Sequence, residues 1–215
     1  MKYKAVIFDL DGTLLNTLDD LCDSVNFVLE HFGFEKITKE QTKGYVGDGI
    51  GKLIERAVPN GDKNPLFQPA LALFKEYYPV HSQIKTAPYE GIDALLEALK
   101  NSGVKLGVVS NKNHNAVVSL CEKYFGDIFS LTIGEREGVP RKPAPDNVLF
   151  AVKNLGVDIK ETVYIGDSQV DVMTANNCKM DLIAVTWGFR DEKVLRDASA
   201  KIFARNPMEI YEIIG

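Results

Sequence analysis

Asp9 and Asp11 stand two residues apart, directly after the apolar run Ala5-Val6-Ile7-Phe8, and Gly12 follows them. On an extended strand, residues at i and i+2 share one face, so the two carboxyls can divide one reaction. One stays ionised against a metal and attacks; the other, if protonated, gives its proton to a leaving alkoxide and then acts as base toward water. Gly12 lets the chain turn sharply and brings backbone N–H groups near a phosphate. Further along stand Ser110-Asn111-Lys112, Arg141-Lys142-Pro143 and Gly166-Asp167-Ser168, with Asp171 one turn on. Brought together, Asp9, Asp11, Asp167 and Asp171 repel one another, by about 4 kcal/mol per pair near 4 Å at an effective dielectric of 20. Such a cluster needs a cation or shifted pKa values. Oxygen-only ligands select a hard ion, and Mg²⁺ suits an incomplete carboxylate cage. With Lys142 as a second positive group, the set is built to hold an anion beside a nucleophile.

The elements that must position these residues are short apolar runs separated by helical patterns. Residues 4–8, 104–109, 129–133, 162–165 and 181–186 are rich in β-branched side chains and lack clean alternation, as strands covered on both faces do. Residues 201–204 suggest a sixth, edge strand. Ile92, Leu95, Leu96 and Leu99 recur at helical spacing, as do Val117, Leu120, Cys121 and Tyr124. Val148, Leu149, Val152 and Leu155 form a third such set, with Pro145 suited to the first turn. Met208, Tyr211 and Ile214 suggest a closing helix. The alternation predicts a doubly wound, Rossmann-like α/β parallel sheet, whose ligands sit beyond the carboxyl ends of the strands.

One interval breaks the rhythm. From about Leu15 to Pro88 no strand is legible, and three amphipathic patterns centre on Leu21–Leu29, Ile50–Ala57 and Ala70–Tyr78. An ordinary βα connection has about 2–6 residues, so this is an inserted small α-helical domain. The expected division is a catalytic core of residues 1–15 and 86–215 with a helical cap of residues 16–85, hinged near Asn16-Thr17 and Thr86-Ala87-Pro88-Tyr89.

Asp9-Leu10-Asp11-Gly12-Thr13-Leu14, Ser110, Lys142 in Arg-Lys-Pro, and Gly166-Asp167-Ser168-Gln169-Val170-Asp171 resemble, in order and spacing, the four motifs of the haloacid dehalogenase-like phosphohydrolases. The resemblance covers nearly the whole chain, with the helical insert as that family's small cap. It implies that Asp9 forms an aspartyl-phosphate and that Asp11 is the general acid and base. It implies Mg²⁺ held by Asp9, the backbone carbonyl of Asp11, and Asp167. Ser110 and Lys142 would bind phosphate, with Gly12 and Asn111 beside them, and Lys142 would also orient Asp9. Asp171 has three readings: direct metal ligand, water-mediated ligand, or partner of Lys142. Gly44-Tyr45-Val46-Gly47-Asp48-Gly49 and Gly138-Val139-Pro140-Arg141-Lys142-Pro143 resemble loops of the phosphoglycolate phosphatase branch. Gly47 and Asp48 would then contact substrate; otherwise they join two helices, with Asp48 as an N-cap.

The expected activity is therefore a Mg²⁺-dependent phosphatase acting on a small phosphorylated metabolite, 2-phosphoglycolate first, with the cap closing over the crevice. A sugar-phosphate mutase and a pyrophosphatase use similar parts, and a non-enzymatic phospho-aspartate switch is the rival from another class. A formal net charge of −5 over 215 residues argues against a broad nucleic-acid-binding surface. No apolar run approaches a membrane span, and the first apolar stretch is too short for a signal peptide. Cys22, Cys121 and Cys178 lack metal-ligand spacing and read as reduced thiols of a cytoplasmic protein, monomeric or homodimeric. His31, His81 and His114 read as surface or capping residues. Trp187-Gly188-Phe189-Arg190 reads as a packing loop or as a lining of the crevice.

Overall fold

A computed structural model describes residues 1–215. In chain order the elements are β1 (Ala5–Phe8), β2 (Leu15–Asn16), α1 (Leu18–His31), α2 (Lys39–Tyr45), α3 (Ile50–Ala57), α4 (Phe67–His81), β3 (Ala87–Pro88), α5 (Ile92–Asn101) and β4 (Lys105–Asn113). There follow α6 (His114–Phe125), β5 (Leu131–Glu135), α7 (Asp146–Leu155), β6 (Thr162–Gly166), α8 (Gln169–Cys178), β7 (Asp181–Val185), α9 (Glu192–Asp197), β8 (Ile202–Ala204) and α10 (Pro207–Ile214). Two compact units result, Met1–Leu15 with Pro88–Gly215, and Asn16–Ala87.

The first unit is a six-stranded sheet in the order β5-β4-β1-β6-β7-β8, parallel at every pairing. The missing hydrophobic alternation has a direct cause in β1. Val6 and Phe8 pack into one apolar cluster, with Leu95, Leu99, Val117, Leu120 and Ile210. Ala5 and Ile7 pack into another, with Val148, Val152, Leu155 and Ala175. All four strand residues are fully buried, so successive side chains face two different dry layers rather than core and water. Burying each large apolar side chain stabilises by roughly 1.5–3 kcal/mol, and this anchors the strand whose end carries Asp9.

The second unit packs α1, α3 and α4 around Leu21, Val25, Leu29, Leu53, Ile54, Phe67 and Phe74. Its loops are tied by side-chain hydrogen bonds. The Asn26 carboxamide donates to Ile37 O and accepts from Ile37 N–H, at 2.9 and 2.8 Å. The Asp20 carboxylate accepts backbone N–H groups of Ile84, Lys85 and Thr86 at 2.9–3.1 Å.

The structure departs from the sequence reading in several elements. The interval from Leu15 to Pro88 is not strand-free, since β2 and β3 form a two-stranded ladder at its ends. Strand β4 continues through Ser110-Asn111-Lys112 to Asn113, with a register irregularity against β5 between Val109 and Asn113. Asn113 then caps α6. Pro145 precedes α7 rather than opening it. Helices α2, α8 and α9 left no apolar period, because α2 buries only Thr42, α9 only Leu195, and α8 largely small or polar side chains. No helix is long and apolar enough to cross a membrane.

Candidate active site

The carboxyl end of β1 enters a tight turn. The Leu10 carbonyl accepts N–H groups from Thr13, Leu14 and Leu15, and Gly12 sits at φ +84°. A side chain at Gly12 is barred twice, by that backbone conformation and because a Cβ there would overlap the Asp167 carboxylate. The Gly12 N–H is already given to Leu15 O at 2.9 Å. Gly12 therefore makes room for Asp167, with its own N–H committed to the turn.

Asp9, at the end of β1, is buried and accepts the Leu10 N–H at 2.8 Å. Lys142 reaches it from the loop before α7, with Nζ 2.9 Å from Asp9 Oδ1, 2.8 Å from Asp171 Oδ1 and 2.9 Å from the Tyr164 hydroxyl. An ammonium has three donors, and all three are placed. The Lys142 main chain is clamped in turn: its N–H donates to Asn111 Oδ1 at 2.9 Å, and its carbonyl accepts from Asn111 Nδ2 at 3.0 Å. Asn111 thus holds the lysine loop, because both ends of its carboxamide serve Lys142. Ser110 Oγ, also buried, accepts the Lys112 N–H at 3.2 Å, which leaves its hydroxyl proton to give to an anion.

Asp167 follows β6 and is buried. Its Oδ2 accepts the Phe189 N–H at 2.6 Å, and Thr13 Oγ1 lies 3.4 Å from Oδ1. Asp171, on the first turn of α8, has both oxygens committed. Oδ1 meets Lys142 and the Tyr164 hydroxyl, while Oδ2 accepts from Ser168 Oγ at 2.6 Å and Ser168 N–H at 3.1 Å. Of its three readings, that arrangement is the partner of Lys142.

One oxygen from each of Asp9, Asp167 and Asp171 lies within 4.8 Å of the others. Burial pushes the Asp9 carboxyl up to about 7; Asp171 and Asp11 add to the rise and Lys142 opposes it. Burial, then Asp171 and Asp9, push Asp167 up to about 8. Lys142 is held well above the ordinary lysine range, since Asp171 and Asp9 outweigh the burial that would lower it. Three carboxylates against one ammonium leave a deficit of two positive charges, and a divalent cation fits that deficit. Asp9 and Asp167 keep lone pairs for it, while the Asp171 oxygens also meet Lys142, Tyr164 and Ser168.

Asp11 is placed separately. Its carboxylate pairs with Lys112, Nζ to Oδ1 at 3.1 Å, and both side chains are largely buried. Sequence reasoning missed Lys112, although its place beside Ser110 was visible. It also passed over Tyr164, and it left Trp187-Gly188-Phe189 as a loop of undecided role. Gly47 and Asp48 belong to the other unit. There Asp48 is ion-paired with Arg56 at 2.6 Å, and Gly49, not Asp48, occupies the N-cap of α3.

A parallel sheet whose carboxyl edge gathers buried Asp9, Asp167 and Asp171 around Lys142 defines a phosphoryl-transfer type of α/β hydrolase. Comparison with known proteins agrees. The sequence profile of haloacid dehalogenase-like hydrolases matches residues 6–185, and the chain belongs to that family. A phosphoglycolate phosphatase of Neisseria meningitidis serogroup A is 34% identical, across 92% of this chain and 86% of its own length. One from Chromobacterium violaceum is 32% identical, across 98% and 96%. The crystal structure of a candidate phosphoglycolate phosphatase from Lactobacillus delbrueckii subsp. bulgaricus has a TM-score of 0.96 and 39% identity, across 100% of this chain and 99% of its own.

Proposed function

We propose that this chain is a Mg²⁺-dependent phosphatase that hydrolyses a small phosphomonoester, with 2-phosphoglycolate as the preferred substrate. The carrying observation is the convergence of Asp9, Lys142 and Asp167 at the carboxyl edge of one parallel sheet. The substrate choice is supported by the names of the relatives.

The roles follow from the chemistry. Asp9 Oδ attacks phosphorus and forms an aspartyl-phosphate as the ester P–O bond breaks. Asp11 gives a proton to the departing alkoxide, then accepts one from the water that attacks the aspartyl-phosphate, releasing phosphate and restoring Asp9. Lys142 holds Asp9 in line and offsets charge at the reacting end, while Ser110 donates to a phosphate oxygen. Positioning and charge neutralisation supply most of the rate in such transfers. Asp9, Asp167 and the Asp11 carbonyl are the groups that would hold Mg²⁺, which when bound neutralises phosphate charge and orients it toward the nucleophile. Three free, buried cysteines fit a reducing compartment, and we infer the cytoplasm.

Release of inorganic phosphate from 2-phosphoglycolate, pyrophosphate and hexose phosphates, with Mg²⁺ or with EDTA, tests the reading. The expected result is turnover that needs Mg²⁺, is highest on 2-phosphoglycolate, and falls by about 10⁴-fold or more in Asp9→Asn, as losses of a nucleophile do. Near wild-type turnover by that variant would refute the scheme.

A further inference from the structure

The segment after β7 lies outside the four motifs that carry the chemistry, yet its backbone holds one of their carboxylates. Phe189 N–H donates to Asp167 Oδ2 at 2.6 Å, a short charge-assisted bond. Gly188 lies so close to Asp167 that a Cβ would overlap the Asp167 side chain and the Gly12 carbonyl. The Trp187 indole N–H donates to Thr13 O at 3.0 Å, which ties the segment to the turn that carries Gly12. Asp167 is therefore packed against two glycines, Gly12 and Gly188, and fixed by a main-chain donor.

We propose that Trp187-Gly188-Phe189 is a positioning strap that sets the orientation of the Asp167 carboxylate for the divalent cation. The inference rests on the Mg²⁺ reading above. Its physical basis is that Asp167 faces two like charges, Asp9 and Asp171, which favour rotation of the carboxylate away from them. A packed side chain would resist that rotation weakly, whereas a main-chain N–H on a segment anchored through Trp187 resists it firmly. Glycine at 188 is what allows the backbone to approach this closely. Trp187 and Phe189 are positioning residues; neither is assigned contact with substrate.

Calorimetric titration of Mg²⁺ into the wild-type chain, Asp167→Asn, Gly188→Ala and Trp187→Phe tests this without recourse to turnover. Groups that orient a metal ligand typically change metal affinity about 10–100-fold when altered. Gly188→Ala is expected to weaken Mg²⁺ binding within that range, and Trp187→Phe by about threefold to tenfold. Phosphate release by both variants should recover at saturating Mg²⁺, a rescue that a general folding defect does not show. Melting curves in EDTA verify that each variant is folded; if Gly188→Ala is not, Trp187→Phe decides alone. Wild-type Mg²⁺ affinity in the folded variants, alongside lost binding in Asp167→Asn, overturns the strap and leaves the Mg²⁺ reading standing. Failure of the wild-type chain itself to bind Mg²⁺ overturns both.

Discussion

Asp20 and Asp167 are the same residue type and equally withdrawn from water, at 2% and 1% exposure, but they are held by opposite means. In the helical unit, Asp20 receives three backbone N–H groups from Ile84, Lys85 and Thr86. Those donors replace the hydrogen bonds to water that burial removes. In the sheet unit, Asp167 has one strong main-chain donor and two neighbouring carboxylates, and its pKa rises to about 8. Burial of a carboxylate is therefore not the mark of a reactive site. The mark is burial with a shortage of donors and positive charge, which a ligand must then supply.

The largest way to break this comparison is to remove the satisfied carboxylate. Asp20→Ala leaves three backbone donors without their acceptor, at a cost of about 3 kcal/mol. That corresponds to a melting temperature roughly 10 °C lower at this chain length, with Mg²⁺ affinity unchanged; an unaltered melting curve would show that the Asp20 cluster carries no stability.

The second is pH. Asp9 and Asp167 titrate at about 7 and 8 in the folded, metal-free chain, against about 3.9 when unfolded. Between about pH 4 and 8 the folded state thus holds more protons than the unfolded state, and stability falls as pH rises through that window. Melting in EDTA should drop by several degrees from pH 5 to 8.5, and Mg²⁺ should reverse the drop at the upper end. A flat profile in EDTA would mean that the acidic cluster is not short of positive charge.

Asp167→Asn sharpens the contrast, because it should act on stability with the opposite sign from Asp20→Ala. It removes a repelled charge and keeps an acceptor for Phe189 N–H. In EDTA at pH 8 it should raise stability by at least about 1.4 kcal/mol, the worth of a single pKa unit, and Mg²⁺ should no longer stabilise it. Thermal melts of the two variants side by side decide the matter.

The smallest expected effect concerns Lys112. Lys112→Met removes the partner that holds Asp11 and should lower kcat threefold to tenfold, about 1 kcal/mol, with a smaller change in KM. Unchanged kcat would mean that the ion pair does not position Asp11.

How much of this was readable beforehand follows from what each residue contacts. The central strands were legible because β1, β4 and β6 bury large apolar side chains on both faces. Three helices were not, because α2, α8 and α9 bury too few large apolar groups to write a period. Within the site, Asp9, Asp11, Lys142 and Asp167 were legible from motif and strand-end position. The work of Asn111, Tyr164 and Phe189 was not, since a carboxamide clamping a lysine main chain, a hydroxyl completing an ammonium's shell and a main-chain N–H on a carboxylate leave no spacing to read.

What the amino-acid order determined alone is the list of reactive groups and the layered α/β framework, because both follow from local pattern: residue type, apolar period and turn chemistry. The tertiary structure decided how those groups are partnered. Lys142 spends its donors on Asp9, Asp171 and Tyr164, Asp171 is consumed as its counter-ion, and Asp11 belongs to Lys112. These pairings join residues far apart in the chain, and electrostatic energy depends on distances of a few ångströms that only the folded backbone sets.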